Sequence, residues 1–121
     1  MKKQMIVVDD DTDILDSIKM LFEHEGYEVI TVQSGRDCID RLERGFKGVV
    51  LLDLMMPGMD GWDTVREIVN RGLERNVNIL VITAIGTPDH DKMRGLEPYV
   101  QDYIVKPFNP TDLVRRVETV N

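Results

Sequence analysis

Hydrophobic positions along this chain follow two alternating spacings. Short continuous runs come at Met5-Ile6-Val7-Val8, Val29-Ile30-Thr31-Val32, Val49-Val50-Leu51-Leu52, Ile79-Leu80-Val81-Ile82 and Tyr103-Ile104-Val105. Runs of this length, rich in β-branched residues, read as strands buried on both faces. Between them the spacing is helical. Ile14, Leu15, Ile18, Leu21 and Phe22 form one stripe. Cys38, Ile39 and Leu42 form a second, and Trp62, Val65, Ile68 and Val69 a third. Residues 88–97 make a weaker helix whose large apolar members are Met93 and Leu96, and Pro98 should end it at about Glu97. Leu113, Val114, Val117 and Val120 mark a last helix, with Pro110 near its start, where a missing N–H costs nothing.

The resulting order, βαβαβαβαβα, is that of the α/β class. Right-handed crossovers then give a doubly wound five-stranded parallel sheet with helices on both faces. By analogy with flavodoxin-like folds the strand order is 2-1-3-4-5. A chain of 121 residues predicts a single domain, 1–121, large enough to fold around its own core.

Charge narrows the function classes. The formal net charge is −7, which argues against a generic nucleic-acid binder, because phosphate contacts need a basic face. The single cysteine, Cys38, leaves no partner for an internal disulfide or a cysteine-based zinc site. Nothing approaches the apolar length of a membrane span. Behind Met1-Lys2-Lys3-Gln4 the apolar run is too short for a signal peptide. A cytoplasmic protein is expected.

Where the runs stop is chemically informative. In open α/β sheets the site lies beyond the carboxyl ends of the strands, at the point where strand order reverses. Here the first and third strands stop at Asp9, Asp10 and Asp53; the fourth stops at Thr83 and the fifth at Lys106. Two carboxylates about 4 Å apart repel by roughly 4 kcal/mol at an effective dielectric of about 20. Three together need a cation or a raised pKa. Oxygen ligands without His or Cys favour Mg²⁺, Mn²⁺ or Ca²⁺, and Mg²⁺ suits a phosphoryl site best. Each residue also has a plainer role. Asp9, Asp10 and Asp11 suit a helix N-terminus, Thr83 is an ordinary strand end, and Lys106 is an ordinary loop lysine. Asp53 is harder to explain plainly, since a lone buried carboxylate is costly. The coincidence at one end of four strands favours a site.

Four blocks sharpen this. Val7-Val8-Asp9-Asp10-Asp11, Leu52-Asp53-Leu54-Met55-Met56-Pro57-Gly58-Met59-Asp60-Gly61, Val81-Ile82-Thr83-Ala84 and Tyr103-Ile104-Val105-Lys106-Pro107-Phe108 together resemble the receiver domain of two-component response regulators, over essentially the whole chain. The resemblance implies a phosphoacceptor switch rather than an enzyme. Asp53 would take a phosphoryl group from a phosphohistidine of a sensor histidine kinase or a histidine phosphotransfer protein. Mg²⁺ would be bound by Asp10, Asp53 and the Met55 carbonyl, with Asp9 acting through a water. Lys106 would pair with Asp53 or the phosphoryl oxygens, Thr83 would bond the phosphoryl group, and Tyr103 would turn inward with Thr83. The Lys106–Pro107 peptide would be cis. The face made by the fourth helix, fifth strand and fifth helix would be remodelled for a downstream protein, the domain being a monomer or a phosphorylation-dependent dimer. Because the chain stops after its last helix, a stand-alone receiver or an excised one is expected, with its output supplied elsewhere.

Departures bear on output and lifetime. Tyr99-Val100, after Pro98, stands where the family commonly has Gly-Ala, so residues 86–102 are expected to have their own shape. In the family the resemblance points to, the side chains at the positions of Met55 and Ile85 border the phosphoryl group; both are apolar here and neither can orient water, which predicts a comparatively long-lived phosphoaspartate. Met55, Met56 and Met59 suit a soft metal in principle, but adaptable packing is the simpler role. Trp62 is placed for packing, and His24 and His90 are expected to be exposed. Two rivals remain. A haloacid-dehalogenase-like phosphatase would need an acid where Met55 stands. A receiver-like module independent of phosphate would generally have lost one of Asp9, Asp10, Asp53, Thr83 or Lys106.

Overall fold

The structure is a computed structural model that describes residues 3–84 and 90–120. Five strands are present: β1 (Lys3–Val8), β2 (Tyr27–Val32), β3 (Gly48–Asp53), β4 (Val77–Thr83) and β5 (Val100–Val105). The helices between and after them are α1 (Thr12–His24), α2 (Gly35–Glu43), α3 (Gly61–Asn70), α4 (His90–Met93) and α5 (Pro110–Val120). The sheet is parallel throughout, in the order β2-β1-β3-β4-β5. This is the expected doubly wound architecture.

Strand alternation divides the core into two layers. Ile6, Val8, Val50, Leu52, Ile79 and Val81 face one way, onto Cys38, Ile39 and Leu42 of α2 and Trp62, Val65 and Ile68 of α3. Met5, Val7, Val49, Leu51, Leu80, Ile82 and Ile104 face the other way, onto Leu15, Ile18 and Phe22 of α1 and Leu113 and Val117 of α5. Successive residues thus serve opposite layers, which is why the strands read as unbroken apolar runs.

One expectation is corrected. The fourth helix does not reach Glu97: it ends at Met93, and Leu96 N–H closes a turn onto Met93 O at 2.9 Å. Gly95 takes φ +81°. That left-handed conformation stops a helix before the proline is reached. Pro98 sits instead in a separate 3₁₀ turn, Glu97–Tyr99, leading straight into β5. The β4–β5 register then slips, since Val100 pairs with Ile79 but Asp102 pairs with Leu80, leaving Gln101 as a bulge. Over residues 90–102 the segment is thus a short helix, a 3₁₀ turn and a bulged strand start; residues 86–89 lie outside the described residues. Ile85 and the side chain of His90 lie outside the described residues; His24 is exposed as expected.

Candidate functional site

Strand register brings the site together. Val8 pairs with Leu52, so the residues that follow, Asp9 and Asp53, emerge side by side at the carboxyl end of the two central strands. Asp53 is also level with Ile82, and Thr83 with Val105, which puts Thr83 and Lys106 on the same rim. Lys106 N–H donates to Thr83 O at 2.8 Å, and the Lys106–Pro107 peptide is cis.

The two central carboxylates are buried, Asp9 at 2 % and Asp53 at 3 % exposure, while Asp10 is exposed. One oxygen from each of the three lies within 4.8 Å of the others. Lys106 Nζ sits between the buried pair, 3.7 Å from Asp9 Oδ2 and 3.6 Å from Asp53 Oδ2. Those distances are ion-pair separations, too long for hydrogen bonds. The other oxygens are held by backbone: Asp11 N–H donates to Asp9 Oδ1 at 2.9 Å, and Met55 N–H donates to Asp53 Oδ1 at 3.0 Å.

Asp9 Oδ2 is left buried with no hydrogen-bond partner among the described residues. Its carboxyl is pushed up to about 6, first by burial and further by the neighbouring Asp53 charge, against the lowering pull of the Asp11 N–H and of Lys106. One lysine is therefore not enough to neutralise this end of the sheet. Three carboxylates, one of them with an unsatisfied buried oxygen, fit a small divalent cation, with Asp10 offering the solvent-facing ligand.

The switch candidates occupy the opposite layer. By alternation Thr83 follows Val81, not Ile82, and its hydroxyl donates to Ala84 O at 3.2 Å. Tyr103 packs with the α2–α3 layer, its ring 6.1 Å from Trp62 at a tilt of 46°. Its hydroxyl oxygen is buried and makes no hydrogen bond among the described residues, and burial raises its pKa. The structure thus groups Asp9, Asp10, Asp53 and Lys106 in one cluster, with Thr83 at the same rim and Tyr103 level with Val81, two residues below it in β5. Met55 contributes its N–H to the cluster and leaves its side chain 70 % exposed.

The loop after Asp53 is closed by devices only partly visible in sequence. Leu54 N–H donates to Ile82 O at 3.0 Å, and Gly61 N–H returns to Leu54 O at 3.2 Å. A side chain at residue 61 would meet Leu54 Cα at 2.6 Å and Asp53 O at 2.7 Å, so only glycine permits this closure. Asp60 and Asp63 form a reciprocal capping box on α3, a signature that their spacing of three residues carries. Lys92 of α4 pairs with Asp60 Oδ2 at 2.5 Å, a contact with no local sequence signal.

A family model described as the response regulator receiver domain matches residues 5–118. The chain belongs to this family. Among curated relatives, the response regulator SaeR of Staphylococcus aureus (strain USA300) is 36 % identical over 116 residues, covering 96 % of this chain and 49 % of the relative. The receiver thus spans about half the length of the curated relatives it matches. Among solved structures, a CheY-like response regulator receiver domain protein from Methanospirillum hungatei JF-1 superposes with a TM-score of 0.93 at 46 % identity, covering 99 % of this chain and 94 % of that one. The chemotaxis protein CheY4 of Vibrio cholerae gives 0.87 at 26 % identity over the whole of both chains. Membership implies phosphoacceptor signalling in two-component systems, in which response regulators work with histidine kinases and downstream targets. Receivers are signalling domains, generally not classed as enzymes. The family typically uses Mg²⁺ at an acidic pocket, which the Asp9–Asp10–Asp53 cluster of this receiver matches in donor chemistry. No helix among the described residues is long and apolar enough to cross a membrane.

Proposed function

We propose that this receiver is a phosphoacceptor switch in which Asp53 accepts a phosphoryl group from a phosphohistidine of a sensor histidine kinase or histidine phosphotransfer protein. The P–N bond of the donor breaks and a P–O bond forms to the Asp53 carboxylate. Asp10, Asp53 and the Met55 carbonyl would hold Mg²⁺, with Asp9 acting through a water. When bound, the ion offsets negative charge on the transferring group. The rest falls to the chain. Met55 N–H fixes one Asp53 oxygen. Lys106, already between Asp9 and Asp53, supplies a cation to the incoming phosphoryl oxygens. Positioning and charge neutralisation are most of what such a transfer asks of a protein.

The product carries about −1.5 to −2 extra charge in an acidic pocket. Thr83 bonds the new phosphoryl oxygen and Tyr103 follows it. The α4–β5–α5 face then changes for a downstream protein partner, with the receiver a monomer or a phosphorylation-dependent dimer in the cytoplasm. Residues 1–121 act as one domain, which makes no contact of its own with nucleic acid or membrane. The observation that carries this reading is the orphaned Asp9 Oδ2 facing Lys106 and Asp53 under the ends of the central strands.

The test is incubation with Mg²⁺ and acetyl phosphate, read by intact mass. One phosphoryl adduct is expected, absent in Asp53→Asn. A folded wild-type protein that takes no adduct would make this a phosphate-independent interaction module.

A further inference from the structure

Met55 is exposed beside the acceptor, and nothing in the proposed switch uses its side chain. Of the described methionines, Met5 and Met56 are buried at 0 % and 7 % exposure, and Met59 and Met93 are half-buried. Met20 and Met55 stand out at 73 % and 70 %. Met20 lies on the solvent side of α1. Met55 is different because its N–H holds Asp53 Oδ1 at 3.0 Å, so its side chain leaves the chain within one hydrogen bond of the acceptor carboxylate. It borders a groove of about 360 Å³ together with Leu54, Met56, Pro57 and Asp60. Water or a small oxidant reaches the sulfur freely there.

We propose that the Met55 thioether is a site of reversible oxidation by hydroperoxides, and that the sulfoxide shortens the life of phosphorylated Asp53. The sulfur attacks one peroxide oxygen, the O–O bond breaks and an S–O bond forms. The proton on the transferred oxygen passes to the departing hydroxide or alkoxide, which leaves as water or an alcohol. The sulfur is oxidised by two electrons and the peroxide is reduced by two. Sulfoxide-reducing enzymes reverse the change. As a thioether, Met55 is a poor hydrogen-bond acceptor and cannot direct water. As a sulfoxide it carries a strong acceptor on a polar, chiral side chain, on the residue whose N–H holds Asp53 Oδ1 and whose side chain is open to water. Burial protects Met5 and Met56, so the loop need not lose its packing when Met55 is oxidised.

This inference rests on Asp53 being the phosphoacceptor, and its test separates the two. The protein is treated with hydrogen peroxide and mapped by peptide mass. It is then phosphorylated with acetyl phosphate and Mg²⁺, freed of donor, and followed by intact mass as the adduct decays. Met55 and Met20 should oxidise well ahead of Met5 and Met56. Oxidised wild type should lose its phosphoryl group at least about threefold faster than untreated protein. Met20→Leu should show the same acceleration, and Met55→Leu none, each variant being compared with its own untreated form. Met55→Gln, which supplies an oxygen acceptor without oxidation, should decay faster than wild type. Equal decay before and after oxidation, or an acceleration that survives in Met55→Leu, overturns the inference while leaving the phosphoacceptor reading intact. A wild-type protein that takes no adduct overturns both.

Discussion

The two ends of the sheet treat acidic side chains in opposite ways. At the amino end, Lys3 Nζ and the Tyr27 hydroxyl both reach Glu118 Oε2, at 3.0 and 3.1 Å, tying β1 and β2 to α5. Glu118 has every reason to stay ionised, and its carboxyl is held below the usual range, chiefly by the Lys3 hydrogen bond. At the carboxyl end, Asp9 lies deeper, lacks a partner for one oxygen and is pushed up to about 6. Glu118 is satisfied within the fold, whereas Asp9 keeps one buried oxygen without a hydrogen-bond partner among the described residues. A polar group that costs stability in the free protein marks where a ligand acts.

The contrast can be broken most forcefully at Lys106. Lys106→Met removes the cation that lies between Asp9 and Asp53. It should slow phosphorylation by acetyl phosphate roughly tenfold to a hundredfold, in line with losing one charge-stabilising donor. Single-turnover mass measurements on protein with an unchanged circular-dichroism spectrum would show it. An undiminished rate would mean that Lys106 is only structural.

Asp9 provides the next largest effect. Its folded pKa lies above the ordinary 3.8, so the folded state binds the proton more tightly than the unfolded state. Ionised Asp9 therefore destabilises the protein above about pH 6, and the penalty disappears as the pH falls from about 6 toward 4. Asp9→Asn should raise stability at pH 7 by on the order of 2 kcal/mol in the presence of a chelator. The gain should shrink at pH 5, and the stabilisation of wild type by Mg²⁺ should weaken in the variant. Thermal melts at both pH values, with and without Mg²⁺, would measure this. A variant no more stable than wild type at pH 7 would place the cost elsewhere.

The smallest effect belongs to the amino end and has the opposite sign with pH. Glu118, with its lowered pKa, contributes stability above its ordinary range and loses it as the pH falls through the lowered value. Glu118→Gln should cost less than about 5 °C of melting temperature at neutral pH. It should leave phosphorylation unchanged. A change in phosphorylation rate would show that the two ends are coupled through the sheet.

Much of this was legible in the residues. Five continuous apolar runs and the helical stripes between them predicted the parallel sheet, and their last residues predicted which side chains would meet. The motif around Asp53 carried its own loop closure, since the Asp60–Asp63 spacing encodes a capping box and Gly61 fits where no side chain would. Less was legible where backbone conformation or distant packing decided. Pro98 was the obvious helix stop, but Gly95 acted first, because a left-handed residue ends the hydrogen-bond ladder wherever it falls. Nothing local distinguishes Asp9 from Asp10, yet one is buried and the other exposed.

The sequence by itself determined the order of elements, the two-layer core and the identity of the acidic cluster, because strand and helix periods are local and each strand end is a single position. Tertiary structure alone decided which carboxylate would lack a partner, how Lys106 divides itself between two acids, and that Lys92 would reach Asp60. Those outcomes depend on distances across strands and helices far apart in the chain. Electrostatic energy follows such distances and the depth of burial, neither of which is written at any one position.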